Sequence, residues 1–273
     1  MPFKITFIFL LLLFPLSVAA QLEAQSTEGK IFVAADNGIE WDRSNNVYTA
    51  TGNAQAQRGE DFFVSADVLS AYYGLSDPES QKIEYIEARG NAFTRNSGNI
   101  LKAEKISYDL EQKIIVGRGE SPVFQSRDGL KVRAKKRMTF NQTEKRAVIE
   151  GDALVIDPQY RMQADIMEIL FNSGAREGDL GQARELIADG NVSITSETAT
   201  ATANSLRYDF KARFVQLYGN VKILQNGNQI AGEYAEYPLE GGVARVTATR
   251  PGSNDRGDKQ RVFGWIKPSE TEQ

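Results

Sequence analysis

The chain of 273 residues contains no cysteine and no histidine. Without cysteine there can be no disulfide, no thiol nucleophile and no Cys/His metal cage. Without histidine, the side chain most often used as a general base near neutral pH is missing. A pair of carboxylates is the acid–base device that stays open. A strong basic excess is absent too: 32 basic residues face 36 acidic ones, for a net charge of −4. That balance argues against nucleic acid as the main partner.

Long apolar runs are missing after the first twenty residues. The N-terminus reads Met-Pro-Phe-Lys, an apolar run from Ile5 to Phe14, then Ser17-Val18-Ala19-Ala20. A charged start, a short apolar stretch and small residues before a cleavage point form a secretory signal. The run falls short of the roughly 20 residues of a membrane span. Cleavage is expected near Ala20-Gln21, with a flexible stretch over 21–30. Removing Lys4 with the signal leaves 31 basic against 36 acidic residues. An exported chain without disulfides must rely on its own buried area, and this one is long enough to do so.

What the sequence does have is repetition, a feature to be sought before any motif. Gly52-Asn53, Gly90-Asn91, Gly119-Glu120, Gly151-Asp152, Gly190-Asn191 and Gly219-Asn220 form six landmarks. The first three recur about 100 residues later, which suggests two tandem repeats, 31–133 and 134–248, with a polar tail over 249–273. A second element interleaves with them: Ala, a polar residue, then an aromatic followed by Asp or Asn. It runs from Ala103-Glu104 to Tyr108-Asp109 and from Ala203-Asn204 to Tyr208-Asp209. Looser copies begin at Ala35, Ala66, Ala134, Ala164 and Gly232. Ser173 to Glu185 reads as a Gly-rich, charged insertion.

Around these landmarks apolar and polar residues alternate, as at Leu206, Tyr208 and Phe210 or at Val215 and Leu217. Period two bounded by Gly, Asn and Asp predicts half-buried antiparallel strands. No amphipathic helix is expected after the signal. In four copies the step from the alanine to the next interior candidate is three residues: Ala66 to Leu69, Ala103 to Ile106, Ala164 to Met167, Ala203 to Leu206. An odd step puts two residues on opposite faces of a regular strand. A bulge or corner near Asp67, Glu104, Asp165 and Asn204 returns both to one interior; otherwise the small alanines face outward.

The stretches Ala203-Asn204-Ser205-Leu206-Arg207-Tyr208-Asp209 and Val215-Gln216-Leu217-Tyr218-Gly219-Asn220-Val221 resemble the LptA/OstA family of lipopolysaccharide-transport proteins. The copy from Ala103 to Gly119 and the tail Arg261-Val262-Phe263-Gly264-Trp265-Ile266-Lys267-Pro268 share the resemblance. It covers roughly Ile31 to Ala248 plus that tail. It implies an all-β fold, a V-shaped open antiparallel jelly roll like that of LptC and the N-terminal domain of LptD. It also implies a periplasmic, non-enzymatic role without cofactors. The acyl chains of lipopolysaccharide (its lipid A moiety) would lie between two sheets. The implied partners are an LptC-like inner-membrane protein, an LptD-like outer-membrane protein and further copies stacked head to tail. The chain carries more repeat than a minimal LptA.

On that reading the candidate trough residues are Ile106, Tyr108, Ile114, Val116, Met167, Ile169, Leu206, Tyr208, Val215, Leu217, Val221 and Ile223. The same residues would serve as the packing seam of two closed sheets. Bare strand edges accept another chain. They are expected near Ile31, Val33, Ile39 and Trp41 at one end, and near Ile230 to Tyr237, Val243 and Val246 at the other. Val262 to Ile266 would cover the last edge. Sixteen to twenty strands, divided between two sheets, predict a trough of roughly 40–50 Å. The recurring carboxylates Asp36, Asp67, Glu104, Asp165 and Glu233 suggest calcium or a catalytic pair on one reading. On the other they bond backbone turns, since Lys135 and Asn204 occupy the same motif position. Competing functions are a β-solenoid or adhesion protein without lipid, and a β-helix that acts on polysaccharide through paired carboxylates.

Overall fold

The computed structural model describes residues 31–77, 79, 81–127, 129–172, 183–238, 243–250 and 261–267. The expected signal segment, the stretch 21–30, residues 173–182 of the insertion and most of the tail lie outside them. Ala183 to Glu185, read as part of the insertion, instead begin a strand and pair with Phe171 and Leu170.

Ten long strands form the body: β3 (Val47–Arg58), β4 (Phe62–Tyr73), β5 (Ile83–Asn96), β6 (Asn99–Asp109), β11 (Arg146–Ile156), β12 (Arg161–Phe171), β13 (Ala183–Thr195), β14 (Ala199–Asp209), β15 (Phe214–Gln225) and β16 (Asn228–Pro238). Eight short ones complete it: β1 (Phe32–Ala34), β2 (Gly38–Asp42), β7 (Ile114–Arg118), β8 (Val123–Gln125), β9 (Lys131–Arg133), β10 (Arg137–Asn141), β17 (Arg245–Thr247) and β18 (Phe263–Trp265). All pairings are antiparallel, and the described regular structure is strand alone. The fold of the described residues is all-β and antiparallel throughout.

Each long strand bends once and so belongs to two sheets. Sheet I takes β2, β7, β10, β17 and one arm of every long strand. Sheet II takes β1, β8, β9, β18 and the other arms. Each sheet therefore counts fourteen rungs. At about 4.8 Å per rung the two faces run roughly 60 Å, longer than expected, because bent strands count twice.

The bends sit on the Gly-Asn landmarks. Ladder register shifts between Thr51 and Ala54, Arg89 and Ala92, Glu150 and Ala153, Asp189 and Val192, and Tyr218 and Val221. At the second of these, Gly90 and Asn91 have φ of 73° and 48°, and the other four bends share this double left-handed step. Only glycine enters that region freely, and Asn tolerates it better than most residues. On the facing strand the ladder skips Asp67, Glu104, Asp165 or Asn204. The odd steps therefore end on one interior: Ala66 and Leu69, Ala164 and Met167, and Ala203 and Leu206 are all buried.

The polar residue of each motif holds the bend opposite it. Asn53 donates to Asp36 (2.7 Å), Asn91 to Asp67 (3.2 Å), Asn191 to Asp165 (2.9 Å) and Asn220 to Asn204 (3.3 Å). The Glu120 amide donates to Glu104 (3.1 Å) and the Asn220 amide reaches Glu233 (3.5 Å). Where the motif carries Lys135, the landmark carries Asp152, and the two form an ion pair at 2.5 Å. These carboxylates hold turns together. At the hairpins, Asp109 accepts from the Gln112 amide and Asp209 from the Ala212 amide, each at 2.8 Å.

Candidate functional site

The space between the sheets is the candidate site. Cross-strand register aligns one stripe of side chains along the inner face of sheet I. From β5 onward it runs Ile86, Tyr108, Ile115, Phe140, Ala147, Ile169, Leu186, Tyr208, Val215 and Tyr237. A parallel stripe on sheet II runs from Val64 through Leu101, Phe124, Val132, Val155, Met162, Ile194, Ala201 and Ile223.

How well the stripes fill the space changes along the molecule. From β11 to β16 the sheets close on each other. Met167, Ile169, Leu206, Tyr208, Val215, Leu217, Val221 and Ile223 are all buried in one continuous cluster. The gap beside Tyr160, Leu217 and Tyr237 is about 30 Å³. Across the rim, Arg213 of the β14–β15 hairpin donates to Gln159 of the β11–β12 hairpin at 3.3 Å.

At the seam where β3–β9 meet β10–β12 the interior opens. A cavity of about 230 Å³ lies among Ile86, Ile106, Tyr108, Ile115, Phe124, Val132, Met138, Phe140, Ile149, Ile169 and Phe171. Phe140 and Phe171 meet edge-on at 5.7 Å. The space exists because inner positions here are small. Gly117 faces inward beneath Leu101, and Ala88 and Ala147 line the wall. An apolar cavity of about 150 Å³ already admits a benzene-sized guest, so this one has room for a length of hydrocarbon.

Of the twelve expected trough residues, three line this cavity: Ile106, Tyr108 and Ile169. Seven belong to the closed cluster, or eight with Ile169, which borders both. Ile114 and Val116 are a correction. They flank Ile115 on a strand of period two, pair with Asp109 and Ser107, and point to the outer face. The run Ile114-Ile115-Val116 has no alternation to reveal its parity, and the choice fell one residue off. Ile86, Phe124, Met138, Phe140 and Phe171 were missed. Met138 and Phe140 sit in a degenerate motif copy, and their spacing of two was the signal that could have found them.

At the N-terminal end β1 and β2 pair only with β3 among the described residues. Ile31, Val33, Ile39 and Trp41 are exposed there. Trp41 stacks on Tyr48 at 5.3 Å and its indole N–H donates to the Tyr73 hydroxyl at 2.7 Å. At the other end the outermost strands are β17, within the expected Val243 to Thr247, and β18, within the expected covering segment Val262 to Ile266, rather than Ile230 to Tyr237. β16 is covered by β17 and β18, with Ile230 opposite Gly264 and Ala235 opposite Val246. The tail strand Phe263–Trp265 thus caps β16, and Val243 stands 86% exposed beside β17.

Residues 131–242 match the family model described as LptA/(LptD N-terminal domain) LPS transport protein. The chain resembles the LptA/OstA family of lipopolysaccharide-transport proteins. The matched segment begins at β9 and takes in the closed half. Among solved structures, the chain is similar to LptH, the LptA-homologous periplasmic component of the lipopolysaccharide transport device from Pseudomonas aeruginosa. The identity is 17% and the TM-score 0.44, over 52% of this chain and 96% of that one. No curated protein matches. The family's description is one of transport.

Proposed function

We infer that the protein carries lipopolysaccharide between inner and outer membrane by holding the acyl chains of lipid A between sheets I and II. The observation that supports this reading is the apolar cavity at the seam. It is wide enough for hydrocarbon, and its lining is mainly apolar, with Arg58, Thr94, Asn96, Asn99 and Thr139 among the apolar side chains. Each methylene removed from water contributes about 0.8 kcal/mol, so chains can be held without polar contacts or a cofactor. No catalytic group is needed. The motif carboxylates, which a polysaccharide-cleaving reading would require, are spent on the bends.

On this reading the chain is exported to the periplasm and cleaved near Ala20-Gln21. Its ends meet an LptC-like inner-membrane protein, an LptD-like outer-membrane protein or further copies. Edge strands β1–β2 and β17–β18 leave the unpaired amides and carbonyls for such pairing, and a head-to-tail contact of this kind does not close on itself. Native mass spectrometry of protein purified from cell envelopes tests the cargo. Masses of bound lipopolysaccharide are expected. Protein that carries none, and takes none up from micelles, would overturn the reading.

A further inference from the structure

The two sheets differ in charge. Every arm and short strand of sheet II, between the bends and the hairpins, lacks Asp and Glu. Six cations stand exposed on its outer face: Arg95, Lys102, Lys131, Arg133, Arg161 and Lys222. Among the described residues, carboxylates near this face are confined to hairpins, at Glu60, Asp61, Asp157 and Glu197, and to the bends. Sheet I is built the other way. Five of its outer cations are paired with acids: Arg89 and Lys105 with Glu87, Arg137 with Glu150, Arg146 with Glu168, Arg207 with Glu185, while Arg118 on β7 is exposed outside these pairs. No ion pair joins any of the six cations of sheet II to a carboxylate among the described residues.

The cations are also arranged. Lys102 and Arg133 flank Val123 across the ladder, and Lys131 and Arg161 flank Ile156. Each pair is therefore two strands apart, about 10 Å. Arg95 lies over the Phe63 ring and Lys102 over Phe93, at 5.8 and 5.7 Å from their centroids. The face is thus a sheet of cations set among half-buried apolar side chains.

We propose that the outer face of sheet II docks on the surface of an anionic lipid bilayer. A bilayer presents phosphates at every lateral position, so it matches unpaired cations spread over many rungs without needing a matched set of acids. The half-buried apolar residues between them settle against the headgroup region. A protein partner would need an extended acidic face of the same curvature and would be expected to meet at least one reciprocal carboxylate here, of which the strands have none. The inference goes beyond the transport reading and stands without it, because it concerns the outside of the sheet and not the space within.

Co-sedimentation of the full chain with vesicles tests it. Binding is expected to vesicles containing phosphatidylglycerol and not to pure phosphatidylcholine. It should fade as ionic strength rises from about 0.1 M to about 1 M, where the screening length falls from about 10 to about 3 Å. The variant K102Q/K131Q/R133Q/R161Q should bind several-hundred-fold more weakly, about five-fold per cation. A control with the same charge change elsewhere, K113Q/R118Q/K136Q/K211Q, should keep most of the binding. Any retained apolar leader is common to both variants and would favour neither. Circular dichroism checks that both fold, as exposed substitutions should allow. Equal binding to the two vesicle types, equal loss in the two variants, or binding only to a soluble anionic glycan or protein would each overturn the proposal.

Discussion

The N-terminal strands β3–β6 and the C-terminal strands β11–β16 share one bent-strand plan and fill it differently. The N-terminal cluster is Ala50, Ala54, Val64, Ala66, Leu69, Ala88, Ala92 and Ile106, so five of its eight members are alanine. The C-terminal cluster is built on Ile149, Met167, Ile169, Leu186, Leu206, Val215, Leu217 and Val221, each essentially inaccessible. Alanine closes the backbone against solvent but cannot reach across to a facing sheet. Branched and long side chains can. The C-terminal strands therefore behave as a packed core, and the seam beside the N-terminal strands remains a cavity. The difference teaches that a shared strand plan does not fix whether a two-sheet interior is filled or vacant; side-chain volume at the inward positions does.

Side-chain truncation should affect the two regions unequally. Leu206→Ala, in the packed region, should cost about 2–5 kcal/mol, as for other buried leucines. Ile115→Ala, at the cavity wall, should cost about 1 kcal/mol, because part of that side chain already lacks neighbours. Denaturant unfolding of both variants checks this. Equal losses would mean that the seam is as well packed as the rest.

The bends should be equally demanding in both regions. Gly90→Ala and Gly190→Ala each place a side chain at positive φ and drive it into the Asp67 or Asp165 carboxylate. Each should cost roughly 1–3 kcal/mol. Removing the carboxylate as well, in D67G/G90A, should recover part of it in thermal melts. No recovery would mean that backbone strain alone sets the penalty.

A smaller effect sharpens the view of the C-terminal end. Tyr234 is buried, receives a hydrogen bond from Gln216 (2.9 Å) and donates to Glu236 (2.7 Å). Desolvation, then the bond to Glu236, pushes its hydroxyl up to about 12. The neutral form is the one the fold favours. Its contribution is complete below the ordinary value near 10 and is lost as pH rises from there through about 12. The alkaline loss of stability in that window should shrink in Tyr234→Phe, measured by melts at stepped pH. The smallest effect is expected at the bend that differs from the rest. K135D/D152N rebuilds the Asp–Asn pairing of the other copies and should melt like the parent, whereas Lys135→Asp alone should melt lower.

Much of this architecture could be read from the sequence. Period two located the strands, and the odd steps from alanine located the bends, because both follow from which face a side chain must take. Lys135 at a motif position otherwise acidic or amide argued for turn bonding, and Asp152 supplies the physical reason. The state of the interior could not be read in the same way. Tyr108 and Tyr208 occupy equivalent motif positions, yet one borders the cavity and the other is sealed in the core. What separates them is the volume of residues on other strands, such as Gly117 opposite Ile106 against Leu217 opposite Leu206, and single-strand periodicity carries no record of those. The run at Ile114 to Val116 failed for a simpler reason: three apolar residues in a row have no parity until a neighbour supplies it.

Acyl chains are expected to enter at the seam and to meet one face of β7. A photo-crosslinking residue placed in turn at Ile115, Ile114 and Leu206 in living cells tests this most directly. Lipopolysaccharide should be captured from Ile115, which faces the cavity, and not from Ile114, its outward neighbour, nor from Leu206 in the packed region. Capture from Ile114 or Leu206 as strong as from Ile115, or capture from none of the three, would contradict it.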